Sequence, residues 1–319
     1  MTAALLPEVP YDRTSVRPAW ADLPLALREA IESRLGSVVW TRPTGTGFTS
    51  GFVASLGTAH GEAHFVKVTE PSTLFADGYA AEARFSAALP RAIPAPRLRW
   101  SEELAGHIVL CFDAIDGAHT PGLPWEPAEL RATLDALAQA GAVLADPPAE
   151  LLAANPYPWA EVLDGPLSMG RSGLVMHERA AELTALETRF AELTAGATTL
   201  SHCDFRLDNV AIDREGRAWL CDWSFLGFGP TWLDLLTLLL SVEASGSESI
   251  GDPDEHFFAH PLGAGVTDEL LDAGLGAMAG YYVYSGGLDE IPTSPALRGH
   301  QRYYARLTLR WLGRRRRWG

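Results

Sequence analysis

The sequence predicts an α+β protein built as two lobes, a small antiparallel sheet carrying one helix followed by a larger, mainly helical half. Two observations carry that expectation. Residues 1–115 are dominated by short runs of alternating apolar residues divided by glycine-rich turns. Beyond Asp116 and Gly117 the chain changes to long alanine- and leucine-rich stretches at helical spacing. With 319 residues, 47% of them hydrophobic, it is long enough to bury two cores.

Taken in order, residues 1–20 read as irregular, and 21–35 carry an amphipathic helical pattern that stops at Gly36. Residues 38–40, 52–56 and 64–68 read as strands, parted by glycine-rich turns over 45–51 and 57–61. A helix capped near Asp77 runs through Tyr79, Glu82 and Phe85 toward Leu89, and Pro94 and Pro96 prevent its continuation. Residues 97–100 and 107–112 then form a hairpin across Gly106. The second part, 116–319, holds helices over 126–144, 174–193, 232–241, 266–284 and 295–312. One hairpin interrupts them, with strands at 210–212 and 218–220. The two halves meet around 113–120, in a stretch too compact for a flexible linker.

Charge narrows the function. A formal net charge of -15 argues against nucleic acid as a partner, because such binding neutralises phosphates with basic side chains. No apolar run is long enough for a bilayer and no signal-peptide pattern opens the chain, so neither a membrane nor export is expected and the cytoplasm is the expected location. Three cysteines, Cys111, Cys203 and Cys221, lack the close pairings of a zinc site or a disulfide framework. Two readings stand for the arginine-rich tail from Arg310 to Arg317, the solvated end of a terminal helix paired with an acidic body, which is favoured, and an arm for nucleic acid or a membrane. Nothing in the sequence sets an oligomeric state.

Lys67 is the single lysine; every other one of the 25 basic side chains is arginine. In a chain that otherwise avoids lysine, a strand lysine marks a place where a compact ammonium cannot be replaced by a planar fork. A solvated strand edge explains a lone lysine equally well, and it is the neighbouring sequence that decides. His202-Cys203-Asp204-Phe205-Arg206-Leu207-Asp208-Asn209, the hairpin after it, and then Cys221-Asp222-Trp223 follow Lys67 and Glu82 in order. That order resembles the catalytic loop and metal-binding aspartate of the eukaryotic-like kinase superfamily, in particular the aminoglycoside phosphotransferase family of small-molecule kinases. The likeness spans nearly the whole chain, from Gly45 to the helices past Asp234.

The resemblance implies a protein-kinase-like fold, with a nucleotide-binding lobe over 1–115 and a helical lobe over 116–319 bearing the catalytic loop and acceptor site. It implies ATP as the cofactor, GTP remaining open, together with Mg2+ held by Asn209 and Asp222. Asp204 would receive or orient the proton of the attacking hydroxyl. Lys67 would grip the α- and β-phosphates, steadied by Glu82. Gly45, Gly47 and Gly51 would let the turn approach the phosphates, with Thr49 and Ser50 offering hydroxyls. The main chain of Asp113 and Ile115 would face the adenine edge. For Arg206 two readings stand, reaching the transferring phosphoryl group or pairing with Asp208. His202 and Asp234 read as structural supports, and Cys203 as a small buried residue. These assignments suit phosphoryl transfer, in which the protein mainly positions two partners and neutralises charge.

Asp234 follows Asp222 too closely for the long activation segment of a protein kinase, so a small molecule with a hydroxyl is the expected acceptor. The acidic stretch 242–255 reads as a loop, and two readings stand for it: a site for a cationic acceptor such as an aminoglycoside, or a solvated surface loop. A catalytically idle nucleotide-binding module of the same fold is the alternative to an enzyme.

Overall fold

The computed structural model describes residues 2–164 and 178–318. A five-stranded antiparallel sheet forms the smaller lobe from β1 (Val38–Pro43), β2 (Phe52–Thr58), β3 (Ala63–Thr69), β4 (Leu98–Leu104) and β5 (His107–Asp113), in the order β1-β2-β3-β5-β4. Helix α1 (Leu25–Leu35), expected ahead of the lobe, packs on the sheet itself. Its Leu27 and Ile31 join Phe52, Ala54, Leu56, Val66, Val68, Val109 and Cys111 in one core. Helix α2 (Ala76–Ala88) covers the other face through Tyr79, which packs with Leu110, Phe112 and Phe65. Two covered faces explain why β2 is buried along nearly its whole length, not on alternate residues. The α2 helix starts from Phe75 without a side-chain cap. Asp77, expected as the cap, lies in the first turn, where its charge complements the helix dipole.

The larger lobe contains α3 (Pro127–Ala145), α4 (Ala149–Ala153), α5 (Trp159–Asp164), α6 (Ala180–Thr194), α7 (Trp232–Ser245), α8 (Ser247–Ile250), α9 (Pro253–Ala259), α10 (Asp268–Gly286) and α11 (Leu297–Arg315). Residues 174–177 of the expected 174–193 helix lie outside the described residues. Helix α7 is buried on every side, as its leucine run requires, and forms the axis of the lobe. Thr267 caps α10 by accepting from Leu270 N at 3.2 Å. Short strands β6 (Leu200–Ser201) and β9 (Gly227–Phe228) pair with each other, as do β7 (Val210–Ile212) and β8 (Ala218–Leu220).

The chain's start, counted with the sheet in the sequence reading, lies on the helical lobe. Leu5 N donates to Ala244 O at 2.8 Å, and Tyr303 Oη donates to Leu5 O at 2.6 Å. The first residues therefore follow α7 and α11 before the chain crosses to the sheet.

The acidic stretch 242–255 is helical where a loop was expected, and the arginine tail explains why. Glu243, with a side chain 0% exposed, is bound by Arg310 and by Arg314 Nη1 at 2.6 and 2.7 Å. Asp252 caps α9 through Asp254 N, and Asp254 accepts from Trp311 Nε1 at 2.7 Å and pairs with Arg315 at 2.8 Å. Paired charges of this kind let α7 continue to Ser245 instead of fraying into solvent. Removing a fully buried carboxylate leaves two guanidinium groups facing each other, but both keep some access to water. Glu243→Gln is therefore expected to destabilise the fold by about 3 kcal/mol, the low end for breaking a buried pair. Urea denaturation checks this, and an unchanged midpoint would mean that the network contributes nothing.

Candidate active site between the lobes

Strand periodicity places Val66 and Val68 on the α1 side of the sheet and Phe65 and Lys67 on the α2 side. There Lys67 Nζ donates to both oxygens of Glu82, at 2.7 and 2.8 Å, and lies 3.7 Å from Asp222 Oδ1. With only 13% of its side chain exposed, Lys67 is no solvated edge residue. Burial works against its charge, but Asp222 and Glu82 outweigh it and hold the ammonium protonated. For Glu82, burial pushes the carboxyl up and the bound ammonium opposes that shift.

The catalytic-loop sequence leaves β6 and is braced from below. Asp234, near the start of α7, accepts from His202 N at 2.7 Å and Cys203 N at 3.0 Å. That support matters because Cys203 has φ 63, a left-handed conformation unfavourable for a residue with a β-carbon. The Cys203 thiol is buried, and burial raises its pKa, so it is not poised as a nucleophile. His202 Nε2 bonds Cys221 O at 2.9 Å and its ring packs on Trp223; burial pulls its pKa down to about 4, leaving it neutral and structural.

Asp204 follows Cys203 on this loop and keeps 22% of its side chain exposed. Burial pushes its carboxyl up to about 7 against the pull of Arg206, with Asp208 and Asp222 adding repulsion. A base near neutrality suits proton transfer from a hydroxyl. Arg206 pairs with Asp204 and with Asp208, the latter at 3.0 Å from its Nε. Arg206 thus pairs with both neighbours at once. Asn209 Nδ2 donates to Asp204 O at 2.7 Å, which turns the side-chain oxygen of Asn209 the other way. Cys221 N donates to Asn209 O at 2.9 Å, linking Asn209 to the segment that carries Asp222. Asp222 adopts φ 63 and accepts from Ser224 Oγ at 2.9 Å. Asn209 and Asp222 offer oxygen atoms only, a donor set that fits a hard cation such as Mg2+.

Asp113 closes β5, its N–H bonded to Arg97 O at 2.9 Å and its carboxylate exposed beside Arg99 at 3.2 Å. Ile115 lies just beyond it, where the chain leaves the sheet, and its carbonyl accepts from Ala118 N at 3.3 Å.

The glycine-rich turn has reasons of its own for its glycines. A β-carbon on Gly45 would stand 2.0 Å from Asp12 O, and one on Gly51 would stand 2.3 Å from Val68 O. Gly47 has φ +81. The turn is packed against the chain's own first residues, which sequence reasoning passed over as irregular. Arg17 donates to Thr44 O, Thr46 O and Thr49 O at 2.6, 2.7 and 2.9 Å, and buried Thr14 donates to Gly45 O at 3.0 Å and also to Gly47 O. Phe48, at the tip, packs on His300 with ring centroids 4.6 Å apart and lies 5.7 Å from Arg206. Tyr11 Oη bonds His300 Nδ1 at 2.7 Å. None of these contacts joins residues close in sequence, so no local pattern announced them.

Beside the catalytic loop lies a cavity of about 330 Å3, lined by Tyr11, Leu123, Leu207, Asp208, Tyr303 and Tyr304 among others. Its one carboxylate, Asp208, is already paired with Arg206.

A small sheet with a lysine–glutamate pair, set over a helical lobe that presents an aspartate and asparagine loop, defines the class: a bilobal, kinase-like phosphotransferase fold. The family described as "Phosphotransferase enzyme family" matches residues 46–281, and the chain belongs to it. That membership is what the similarity of its catalytic-loop sequence to aminoglycoside phosphotransferases implied. Among solved structures, a thermostable mutant of aminoglycoside phosphotransferase APH(4)-Ia in apo form is 17% identical, with 91% of this chain and 98% of that chain covered and a TM-score of 0.60. Choline kinase LicA from Streptococcus pneumoniae is 18% identical, with 90% and 97% covered and a TM-score of 0.59. An aminoglycoside phosphotransferase from Alicyclobacillus acidocaldarius is 15% identical, with 92% and 96% covered and a TM-score of 0.56. At these identities the likeness is one of fold. No curated protein matches the sequence. No helix among the described residues is long and apolar enough to cross a membrane.

Proposed function

We propose that the protein transfers the γ-phosphoryl group of ATP to a hydroxyl of a small molecule. The observation that carries this reading is the convergence of Lys67, Glu82 and Asp222 within 3.7 Å contacts of Lys67 Nζ, above a loop that presents Asp204. A nucleoside triphosphate bound between the lobes would place its phosphates near Lys67, with the turn containing Gly45, Gly47, Thr49 and Ser50 above them and its base toward Asp113 and Ile115. Mg2+, held by Asn209 and Asp222, would supply charge neutralisation at the phosphates. Asp204 would hold the acceptor hydroxyl and take its proton, and Arg206 would steady Asp204 while offsetting the charge of Asp208. Because every position of this set is filled by a competent residue, catalysis is favoured over an idle binding module.

For an aminoglycoside or another cationic acceptor, only part of the acidic stretch is available. Glu243, Asp252 and Asp254 are committed to the arginine tail, which leaves the exposed Glu248 and Glu255 of that stretch for a polyamine, while the cavity beside the loop is lined largely by apolar and tyrosine side chains. Those walls favour an acceptor with an apolar or ring face alongside its hydroxyl.

The test is transfer of labelled γ-phosphate from ATP, with GTP in parallel, to a panel of hydroxylated acceptors of graded charge and hydrophobicity. Transfer to none of them, together with no nucleotide binding, would remove the enzyme reading. In the same assay Asp222→Asn is expected to flatten the magnesium dependence of nucleotide binding, since it weakens a direct ligand. A variant with wild-type magnesium dependence would take Asp222 out of the metal site.

A further inference from the structure

Arg17 belongs to no element of the kinase-like resemblance and precedes the residues matched by the family. Its three hydrogen bonds nevertheless go to one target, the backbone carbonyls of the glycine-rich turn at Thr44, Thr46 and Thr49. A planar trans peptide points its C=O and the following N–H in opposite directions. Holding those three carbonyls therefore turns the N–H groups of Gly45, Gly47 and Ser50 away from Arg17. These are donors of the turn that is expected to cover the nucleotide phosphates.

The rest of the arm supports the same role. Thr14, 0% exposed, donates to Gly45 O and Gly47 O, and Ser15 Oγ donates to Gly47 O at 3.1 Å. Val16 N bonds Thr293 O at 3.0 Å and Tyr11 bonds His300, so the arm is anchored on the helical lobe while it grips the turn. Gly45 has no room for a side chain because the arm's Asp12 carbonyl occupies the space. Turn and arm are thus fitted to each other.

We propose that Arg17 is a positioning residue for phosphoryl transfer: by fixing the carbonyls of Thr44, Thr46 and Thr49, it sets the direction in which the turn's N–H groups meet the nucleotide phosphates. The proposal rests on the phosphotransferase reading above. Its chemistry requires the arginine fork, since three carbonyls spaced around one guanidinium cannot all be reached by an ammonium in the same place.

Full-length wild type, Arg17→Ala, Arg17→Lys and the near-isosteric Thr14→Val are compared by their dissociation constants for MgATP and for adenosine, which has no phosphates, with thermal melting as a check on folding. Arg17→Ala and Arg17→Lys are expected to weaken MgATP by about 10-fold or more while adenosine changes by less than about 2-fold, the scale of losing charge-assisted hydrogen bonds. Thr14→Val should shift MgATP in the same direction by less. Unchanged MgATP affinity in Arg17→Ala overturns the proposal. So does an equal loss for both ligands, which would mark a general disturbance of the cleft, or wild-type behaviour in Arg17→Lys, which would reduce the role to charge. A wild-type protein that binds neither ATP nor GTP would defeat the phosphotransferase reading and this proposal together; a wild type that binds MgATP no better than its Arg17 variants defeats this proposal alone.

Discussion

Asp204→Asn is expected to lower phosphoryl transfer by about 100-fold or more while leaving nucleotide affinity near wild type, the scale for losing a positioned general base. The substitution keeps the shape of the side chain and can still accept from Asn209, whose Nδ2 lies 2.7 Å from Asp204 O and 3.4 Å from Oδ2. What it removes is the ability to take a proton. Arg206 keeps its bonds to Asp208, so the loop should hold its form. Single-turnover transfer and nucleotide titration, measured on the same preparation, separate the two effects. Retained turnover would exclude Asp204 from the proton transfer, and a parallel loss of nucleotide binding would assign it to holding the loop.

Lys67→Arg is expected to cost a similar factor, about 100-fold in kcat/KM, because a misplacement of roughly 1 Å at a positioning group carries that penalty. The ammonium sits against both Glu82 oxygens and near Asp222, in a space with little exposure. A guanidinium is wider, and its fork would satisfy Glu82 while holding the charge in a different place. Because Lys67 is the only lysine, amine-directed labelling offers a second route to the same answer. Lys67 and the amino terminus are the only targets, and peptide mass analysis distinguishes them. MgATP should slow labelling of Lys67 but not of the terminus. Ready labelling of Lys67 at the same rate with and without nucleotide, or normal turnover in the arginine variant, would return Lys67 to a structural role.

The central part of the site was legible in the sequence because its members are joined by short, rigid pieces. Asp204, Asn209 and Asp222 stand on one loop and its hairpin, and Lys67 and Glu82 on a strand and the next helix, so spacing along the chain implies spacing in the fold. The acidic stretch was misjudged for the opposite reason. Whether Glu243, Asp252 and Asp254 face solvent or an arginine depends on where α11 lies, and composition records the charges without their pairing. The same limit hid Arg17, in a segment with no periodicity, whose hydrogen-bond partners lie beyond an intervening helix and strand.

By itself, then, the sequence determined the division into a strand-rich and a helix-rich half, the kinase-like order of the chemical groups and the importance of a solitary lysine, since each follows from local periodicity or residue type. Tertiary structure alone decided that α1 closes the second face of the sheet, which carboxylates of the acidic body the arginine tail meets, and that the chain's first residues strap the glycine-rich turn to the helical lobe. Those outcomes depend on contacts between distant segments, whose burial and hydrogen bonding exist only after the lobes have packed.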